Sequence, residues 1–169
     1  MNYSEARHQL IRTWGQLSTQ WGISRTMGQI HALLMVSPDP MTTDQIIEEL
    51  TISRGNVSIS LRSLVEWGIV HKTYIPGDRK EYFASEKDVW KMALQIARER
   101  KRRELDPVII SMQQLQEIDG DSASSKQMEE LNKMTSQILD VAMQVDKMLD
   151  IGIRSGGQTF VRKLISVLR

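Results

Sequence analysis

Cysteine is absent from the 169 residues of this chain. Its absence excludes disulfide bonds, cysteine-ligated zinc, iron–sulfur clusters and thiol nucleophiles. Aromatic residues make up only 5% of the chain, although four of them are tryptophans. A chain of this length is expected to form one compact domain, or a small module with a helical extension.

The sequence also lacks long apolar runs. The longest, Ile30 to Val36, contains His31 and is far shorter than the roughly 20 residues that span a membrane. Charges are scattered through the N-terminal residues, and no apolar stretch leads to a small-residue cleavage site, so no secretory signal is predicted. We therefore expect a cytoplasmic protein that does not associate with a membrane.

Motifs of common enzyme classes are missing as well. The chain has no G-x-S-x-G elbow, Walker loop, H-E-x-x-H zinc motif or G-x-G-x-x-G dinucleotide motif. Paired carboxylates such as Glu48 and Glu49 fall on predicted exposed helix faces, where acidic neighbours are common. Neither catalysis nor a metal or cofactor is predicted.

The charge balance says little about partners. The net charge is +1, with 15 basic and 12 acidic side chains in residues 1–105 and 7 basic and 9 acidic ones in residues 106–169. A polyanionic partner would therefore meet the first part of the chain. An excess of this size does not by itself indicate nucleic-acid binding.

Apolar spacing predicts two helices at the start of the chain. A 4-3-4 pattern marks one face of a helix over residues 2–21, and Gly22 ends it. Ser24 caps a second helix that runs to about Ser37, before a segment with two prolines. The predicted inward residues are Leu10, Trp14, Leu17 and Trp21 in the first helix, for core or dimer packing, and Met27, Ile30, Leu33 and Leu34 in the second.

A short helix, a turn and a further helix come next. Thr42 or Thr43 begins the short helix, Ser53 caps the further helix, and Gly68 ends it. β-Branched and aromatic residues then flank a turn at residues 76–80, which predicts a β-hairpin with a basic tip. This order is that of a winged helix-turn-helix, in which the helix after the turn reads the DNA major groove.

The outer face of the helix after Ser53 has side chains suited to DNA. A step of 100° per residue places small, amide, hydroxyl and guanidinium groups outward, and no acidic residue lies between Glu49 and Glu66. Such groups contact base edges and phosphates. The inward residues are Val57, Leu61, Leu64 and Val65, and the outward ones are Gly55, Asn56, Ile59, Arg62 and Ser63, with Ser58 at the margin.

Three stretches of this region carry a family resemblance: ISRGNVS at residues 52–58, LRSLVEWGIV at 61–70 and PGDRK at 76–80. The first two resemble the recognition-helix block of the GbsR-type branch of the MarR-like regulators. The third is similar to the Asp-Arg-Arg wing of that superfamily, with Lys80 in place of the last arginine. The resemblance extends over about residues 10–107, and the later helices resemble the family only in being helical.

The resemblance implies homodimeric, cytoplasmic transcriptional regulators, some of which bind choline-like or betaine-like osmolytes. It implies that Asp78 helps to position the wing and that Arg79 enters the minor groove. The basic cluster at residues 98–103 either contacts phosphate or forms a solvated helix face. The complete set of predicted DNA-contacting residues is Ser53, Arg54, Gly55, Asn56, Ser58, Ile59, Arg62, Ser63, Arg79 and Lys80.

The later part of the chain predicts a dimerisation region. Apolar residues from Met128 to Leu149 alternate at spacings of three and four, which is typical of a helix that packs along a seam. A polar break at residues 119–125 precedes this helix, and a final helix is predicted over residues 158–168. The pair Asp106-Pro107 either caps a new helix or kinks one long helix.

Two tryptophans stand directly before helix-ending glycines. Trp21 and Trp67 could form walls of an aromatic cage for a quaternary ammonium ligand, since cation–π attraction favours tryptophan. They could equally be hydrophobic plugs that complete the core. The sequence leaves both interpretations open.

We therefore predict a mostly α-helical winged helix-turn-helix protein with a small β-hairpin wing and additional N- and C-terminal dimerisation helices. Residues 1–23 form the N-terminal helix, residues 24–85 the DNA-binding domain and residues 86–169 the helical dimerisation region. The predicted function is sequence-specific binding to a double-stranded DNA operator as a homodimer, with a possible small quaternary-ammonium effector. The alternative is a winged helix that docks a protein instead of DNA.

Overall fold

A computed structural model describes residues 1–116 and 125–156, and it divides the chain into two units, Met1–Met92 and Ala93–Arg169. The described part is mostly helical with one small sheet, which confirms the predicted fold class. Its elements are α1 (Tyr3–Gln20), α2 (Arg25–Val36), β1 (Met41–Thr42), α3 (Thr43–Leu50), α4 (Arg54–Glu66), β2 (Val70–Thr73), β3 (Tyr82–Ser85), α5 (Val89–Arg100), α6 (Asp106–Leu115) and α7 (Ser125–Arg154).

Helix α2 lies at the centre of the first unit. It contacts α1, α3, α4 and β3, so it is covered on nearly every side. The Ser24 side chain caps its N-terminus by accepting a hydrogen bond from the Met27 N–H at 3.2 Å, as predicted. The four residues predicted to face inward, Met27, Ile30, Leu33 and Leu34, are all buried.

The C-terminus of α2 is capped by a lysine from beyond the hairpin. The Lys87 ammonium donates to the carbonyl oxygens of Leu34, Met35 and Ser37 at 2.8, 2.9 and 2.7 Å. A cation at this position satisfies carbonyl groups that the helix leaves unbonded and interacts favourably with the helix dipole. Partial burial lowers the pKa of Lys87.

Helix α1 packs against α2 through small residues. Its buried residues are Ile11, Gly15 and Ser18, and Gly28 of α2 lies against Gly15 and Ser18. The stripe predicted from the sequence is therefore not the buried face: Leu10 and Trp21 are exposed, and Trp14 and Leu17 are half-buried. Close approach of the two backbones places the helix contact along the small residues and leaves the large ones beside it.

The helix-turn-helix is formed by α3 and α4, with the predicted caps in place. Thr42 forms a capping box with Gln45 at the start of α3, and the Ser53 side chain accepts from the Asn56 N–H at 3.4 Å at the start of α4. Gly68, with φ of 68°, follows the end of α4. Val57, Leu61 and Leu64 are buried as predicted, and Val65 is half-buried.

The predicted hairpin is present, and a third strand joins it. Strand β3 is central, with β2 and β1 antiparallel on its two sides; Thr73 of β2 and Thr42 of β1 both pair with Tyr82. The sequence analysis did not predict β1, because two residues are too few to show a strand period. The sheet anchors the base of the wing next to α3.

In the second unit, the helical backbone continues past Asp106-Pro107. A π-helical turn, Lys101–Leu105, joins α5 to α6, and the start of α6 has no side-chain cap. Of the two predicted alternatives, the structure therefore has the continuous, irregular helix. Pro107 lacks an N–H, and in a regular α-helix its ring would clash with the carbonyl of Arg103, four residues earlier. The turn before it therefore departs from regular α-helical geometry. None of the described helices is long and apolar enough to cross a membrane.

Helix α7 buries only part of the predicted apolar stripe. Thr135 and Ala142 of this stripe are buried, as is Leu139 beside it, whereas Leu131 and Ile138 of the stripe are exposed. The Lys101 ammonium lies 2.7 Å from Asp146 of α7 and 3.1 Å from Asp106, and both carboxylates raise the pKa of Lys101. The predicted polar break, apart from Ser125 where α7 begins, and the predicted final helix lie outside the described residues.

We expect Gly28→Ala to destabilise the first unit. A Cβ at this position would lie 1.9 Å from Ser18 Oγ and 3.2 Å from the Gly15 Cα, so the two helices would have to separate. The expected cost is about 1–3 kcal/mol in the free energy of unfolding, measured by chemical denaturation. Gly55→Ala is the control, because a Cβ there meets nothing within 4 Å and should be neutral or slightly stabilising. Equal stability of both variants would contradict the close crossing.

Candidate nucleic-acid interface

The outward face of α4 is open to solvent. Gly55, Asn56, Ser58 and Arg62 are exposed, and the Ile59 side chain is 65% exposed. Ser63, predicted to face outward, is half-buried. The face therefore combines one amide, one hydroxyl, one guanidinium and one aliphatic side chain.

The N-terminal end of α4 has its own polar groups. Ser53 is the N-cap, and its side-chain oxygen already accepts one backbone N–H. The guanidinium of Arg54 forms an ion pair with Asp44 of α3, and both side chains are exposed. An exposed pair of this kind contributes little to stability, so a phosphate could compete with Asp44 for Arg54.

A groove of about 290 Å³ separates α4 from the hairpin. Ser58 and Arg62 line it on the helix side, and Lys72 and Phe83 line it on the hairpin side. The Lys72 ammonium lies 2.9 Å from Glu81 and over the Phe83 ring at 5.9 Å. The hydrogen bond that Lys72 donates to Glu81 raises the pKa of Lys72, so the ammonium stays charged and is paired with a carboxylate on this side of the groove.

The wing tip begins with a tight turn. The Asp78 N–H donates to the Ile75 carbonyl at 3.0 Å across Pro76 and Gly77, and Gly77 has φ of 87°. Proline followed by a residue of positive φ is typical of a type II turn. Arg79 directly follows this turn and is exposed.

The Asp78 carboxylate organises the residues after the turn. It accepts the Lys80 N–H at 3.0 Å and the Tyr82 hydroxyl at 2.7 Å. The hydrogen bond from Tyr82 lowers the pKa of Asp78 most, followed by that from Lys80. Arg79 and Lys80 themselves are exposed.

The predicted DNA-contacting residues thus lie on α4 with its N-cap and on the wing tip, all within the first unit. Sequence reasoning missed Asp44, Lys72 and Tyr82. Tyr82 follows Asp78 by four residues. This spacing indicates a hydrogen bond between the two side chains only once the loop is known to fold back on itself. Nothing in the sequence connects Asp44 with Arg54, because their proximity depends on the packing of α3 against α4.

The basic cluster at residues 98–103 is largely paired within its own segment. Arg100 bonds Glu104 at 3.0 Å, and Arg102 bonds the buried Glu99 at 2.6 Å. The hydrogen bond from Arg102 is the main cause that lowers the pKa of Glu99. This pairing favours the structural interpretation of the cluster over contact with phosphate.

The two tryptophans predicted as ligand walls have different surroundings. Trp21 is 44% exposed and meets Trp14 edge to face, with 5.7 Å between ring centroids. Trp67 is 8% exposed and lies at the C-cap of α4. Within the described residues, no group of three His, Asp or Glu side chains is arranged to hold a metal ion.

His31 of α2 lies next to the same aromatic pair. Its ring is 6.2 Å from Trp14 and 4% exposed, and its Nε2 has no hydrogen-bond partner among the described residues. Burial without a partner penalises the charged imidazolium. It lowers the pKa of His31 to about 4.

Comparison with known proteins identifies the family of this arrangement. A model described as MarR family matches residues 21–81, which contain α2, α3, α4 and the wing tip. The HTH-type transcriptional repressor GbsR of Bacillus subtilis (strain 168) is 28% identical over 112 residues, which are 66% of this chain. The part of the chain that contains the helix-turn-helix and the wing is thus similar to the MarR family. The resemblance to the GbsR-type branch is thereby confirmed, and the match spans 62% of that repressor's own length.

One solved structure shares the fold of this chain. A crystal structure described as a transcriptional regulator aligns with a TM-score of 0.67 and 17% identity, covering 90% of this chain and 99% of its own. A mutant of S. aureus MepR bound to an oligodeoxyribonucleotide aligns with a TM-score of 0.41 and 17% identity, covering 83% and 98%. The first alignment supports the winged-helix fold.

We expect the free energy of unfolding to decrease as the pH is lowered, because of His31. The unfolded chain takes up a proton near pH 6.5, whereas the folded chain does so only near pH 4. Between these values the unfolded state binds more protons, so the free energy of unfolding decreases as the pH falls, by about 3 kcal/mol in total. Denaturation from pH 7 to pH 4 measures this slope. His31→Met should flatten it, and the exposed control His8→Gln should not; an unchanged slope in His31→Met would contradict the assignment.

Proposed function

We propose that this chain is a cytoplasmic transcriptional regulator that binds a DNA operator as a homodimer. The observation that carries the proposal is the N-capped helix α4, whose polar face is exposed beside a wing that presents Arg79 and Lys80. The name of the similar Bacillus subtilis protein, an HTH-type transcriptional repressor, supports it. A helix of this kind fits the DNA major groove, and a basic wing reaches the adjacent backbone or minor groove.

Each exposed group on α4 has a role that its chemistry suits. Asn56 and Arg62 carry the donors and acceptors that recognise base edges, and Ile59 can contact a thymine methyl group. Gly55 allows the helix to approach closely. The remaining contacts are to phosphate and sugar, from Ser53, Arg54, Ser58, Ser63 and Lys80, while Arg79 enters the minor groove.

Substitutions on α4 and in the wing should distinguish contacts to base edges from contacts to the DNA backbone or minor groove. We expect Arg79→Ala to weaken binding to all DNA and to lower the slope of log K against log salt by about one, because one phosphate-region charge is lost. Arg62→Ala or Asn56→Ala should cost about 1–3 kcal/mol on an operator selected from genomic fragments, and relax the preference at one base pair. Fluorescence anisotropy at several salt concentrations measures both effects.

The control for these variants is Arg12→Ala, which removes one exposed charge from α1, outside the helix-turn-helix and the wing. It should leave operator affinity within about twofold, since a distant surface charge is screened at physiological salt. Unchanged affinity in all three test variants would contradict the assigned face. A wild-type chain that selects no DNA fragment, but captures a protein through α4 and the wing, would support the protein-docking alternative.

The homodimer is supported by an exposed apolar seam on α7. We define this seam as Leu131, Met134, Ile138, Val141, Val145 and Met148, which alternate at spacings of three and four and are 39–62% exposed. Such a pattern is typical of helices that pair along their length. One recognition helix reads only a few base pairs, so two copies spaced about 34–36 Å apart are needed for useful specificity.

Charges placed in the α7 seam should separate the copies. We expect Leu131→Asp combined with Ile138→Asp to convert a dimer into a monomer in sedimentation velocity, and to weaken operator binding. Lys147→Glu is the matched control, since it changes the net charge by the same two units from an exposed position two and a half turns from Ile138, on the opposite side of α7. A folded wild-type monomer at micromolar concentration would contradict the dimer.

A quaternary ammonium is the effector that the exposed Trp21 fits best. Trp21 meets Trp14 edge to face, so the two rings lie nearly perpendicular, and cation–π attraction to an indole face contributes about 0.5–2 kcal/mol. Trp67, being buried, would contribute only if the ligand reaches the end of α4. A ligand shifts DNA affinity only when it binds the two arrangements of the dimer unequally.

Titration with choline and with glycine betaine, followed by tryptophan fluorescence, tests this effector. We expect millimolar or tighter binding to the wild type and about tenfold weaker binding to Trp21→Ala. Trp67→Phe tests whether Trp67 forms a second wall of the aromatic cage. Trp90→Ala is the control, because Trp90 has a similar exposure on α5. Absence of binding to the wild type, or normal binding to both Trp21→Ala and Trp67→Phe, would contradict the proposed cage.

A further inference from the structure

The tip of the wing is held by side-chain hydrogen bonds instead of strand pairing. The ladder between β2 and β3 ends at the pair Thr73–Tyr82, and residues 74–81 form the loop beyond it. A loop of this length has many accessible conformations, and contacts with the rest of the chain are needed to restrict it to one of them. The position of Arg79 therefore depends on the bonds that its neighbours make.

Both neighbours of Arg79 are tied through one carboxylate. Asp78 Oδ1 accepts the Lys80 N–H at 3.0 Å, which closes a local turn around Arg79. Asp78 itself is fixed on its other side, because its N–H donates to the Ile75 carbonyl at 3.0 Å. The backbone of Arg79 is thus held as long as the carboxylate stays in place.

The Tyr82 hydroxyl holds that carboxylate. It donates to Asp78 Oδ2 at 2.7 Å, a short bond to a charged acceptor, which is stronger than a bond between neutral groups. Tyr82 lies on the central strand and pairs with Thr73 on one side and Thr42 on the other. Its hydroxyl therefore connects the loop to the best-anchored strand of the sheet.

Titration of the two groups agrees with this geometry. The hydrogen bond between them is the largest cause that lowers the pKa of Asp78 and raises the pKa of Tyr82. At neutral pH the carboxylate is thus ionised and the phenol protonated, which is the combination that the bond requires.

We propose that Tyr82 is a positioning residue for DNA binding: its hydroxyl holds the Asp78 carboxylate so that Arg79 is presented to DNA in one orientation. The proposal rests on the proposed function. It assigns to Tyr82 a role that acts through Arg79 and that requires no contact between Tyr82 and DNA. Removal of the hydroxyl alone should then weaken binding only while Arg79 is present.

The test is a double-mutant cycle on the operator. Tyr82→Phe keeps the ring and should weaken operator binding about three- to tenfold. This is less than the full effect of losing a hydrogen bond to a charged group, because the bond orders Arg79 and is not itself made to DNA. In the Arg79→Ala background the same substitution should change affinity by less than about twofold. Tyr74→Phe is the matched control in the same hairpin; Tyr74 is exposed, and any effect of its hydroxyl should be the same with and without Arg79.

A measurement without DNA keeps the role of Tyr82 testable in isolation. Amide hydrogen exchange at Lys80 should be several-fold faster in Tyr82→Phe than in the wild type or Tyr74→Phe, while the melting temperature changes little. Equal exchange rates, or additive effects of Tyr82→Phe and Arg79→Ala in a chain that binds DNA, would overturn the positioning role alone. A wild-type chain that binds no DNA would overturn both this role and the proposed function.

Discussion

Burial of α2 on nearly all of its sides is the constraint on which the first unit depends. Seven of the eight residues from Met27 to Leu34 are buried, so this helix must be covered from nearly every direction. Helices α1, α3 and α4 and strand β3 provide that cover, and Lys87 closes the C-terminal end. Val57, Leu61 and Leu64 pack one side of α4 into this core. The opposite side of α4 is therefore the one that is available to contact a partner.

The two parts of the candidate interface are held by different forces. Helix α4 is oriented by apolar packing, which is spread over many contacts and tolerates the loss of any one polar group on its outer face. The wing tip is oriented by a few hydrogen bonds around Asp78. This difference explains why substitutions on α4 should change sequence preference, whereas loss of one hydroxyl in the wing should change general affinity.

Local signals in the sequence predicted the helix-turn-helix well. The caps at Ser24 and Ser53, the stop at Gly68 and the turn at Pro76-Gly77 each depend on the chemistry of neighbouring residues, so a single sequence reveals them. The crossing at Gly15 and Gly28, in contrast, depends on two helices approaching each other. Large residues at regular spacing, such as Leu10 and Trp21, therefore indicated a face of α1 that is not the one buried within the chain, and its role in dimer packing stays a prediction.

The same reason explains why the sequence could not divide the apolar stripe of α7 into residues buried within the chain and residues left exposed. A repeat of threes and fours shows that a helix is apolar along one side, but it does not say which apolar residues face the chain's own helices. In the structure Thr135, Leu139 and Ala142 are covered, and the neighbouring seam that includes Ile138 is exposed. The proposed roles of individual site residues came from the family resemblance and from the outward face of α4. The partners of Arg54 and Asp78 required the folded chain.

The most direct measurement of the central claim uses the absence of native cysteine. A single cysteine introduced as Ser58→Cys on the exposed face of α4 can carry an iron–EDTA group that cleaves nearby DNA, and Thr19→Cys on α1 serves as the control position. The account predicts two cleavage clusters on the operator, about one helical turn apart or a multiple of it, from the Ser58→Cys probe and weak, dispersed cleavage from the control. Dispersed cleavage from both positions would contradict α4 as the element that enters the major groove.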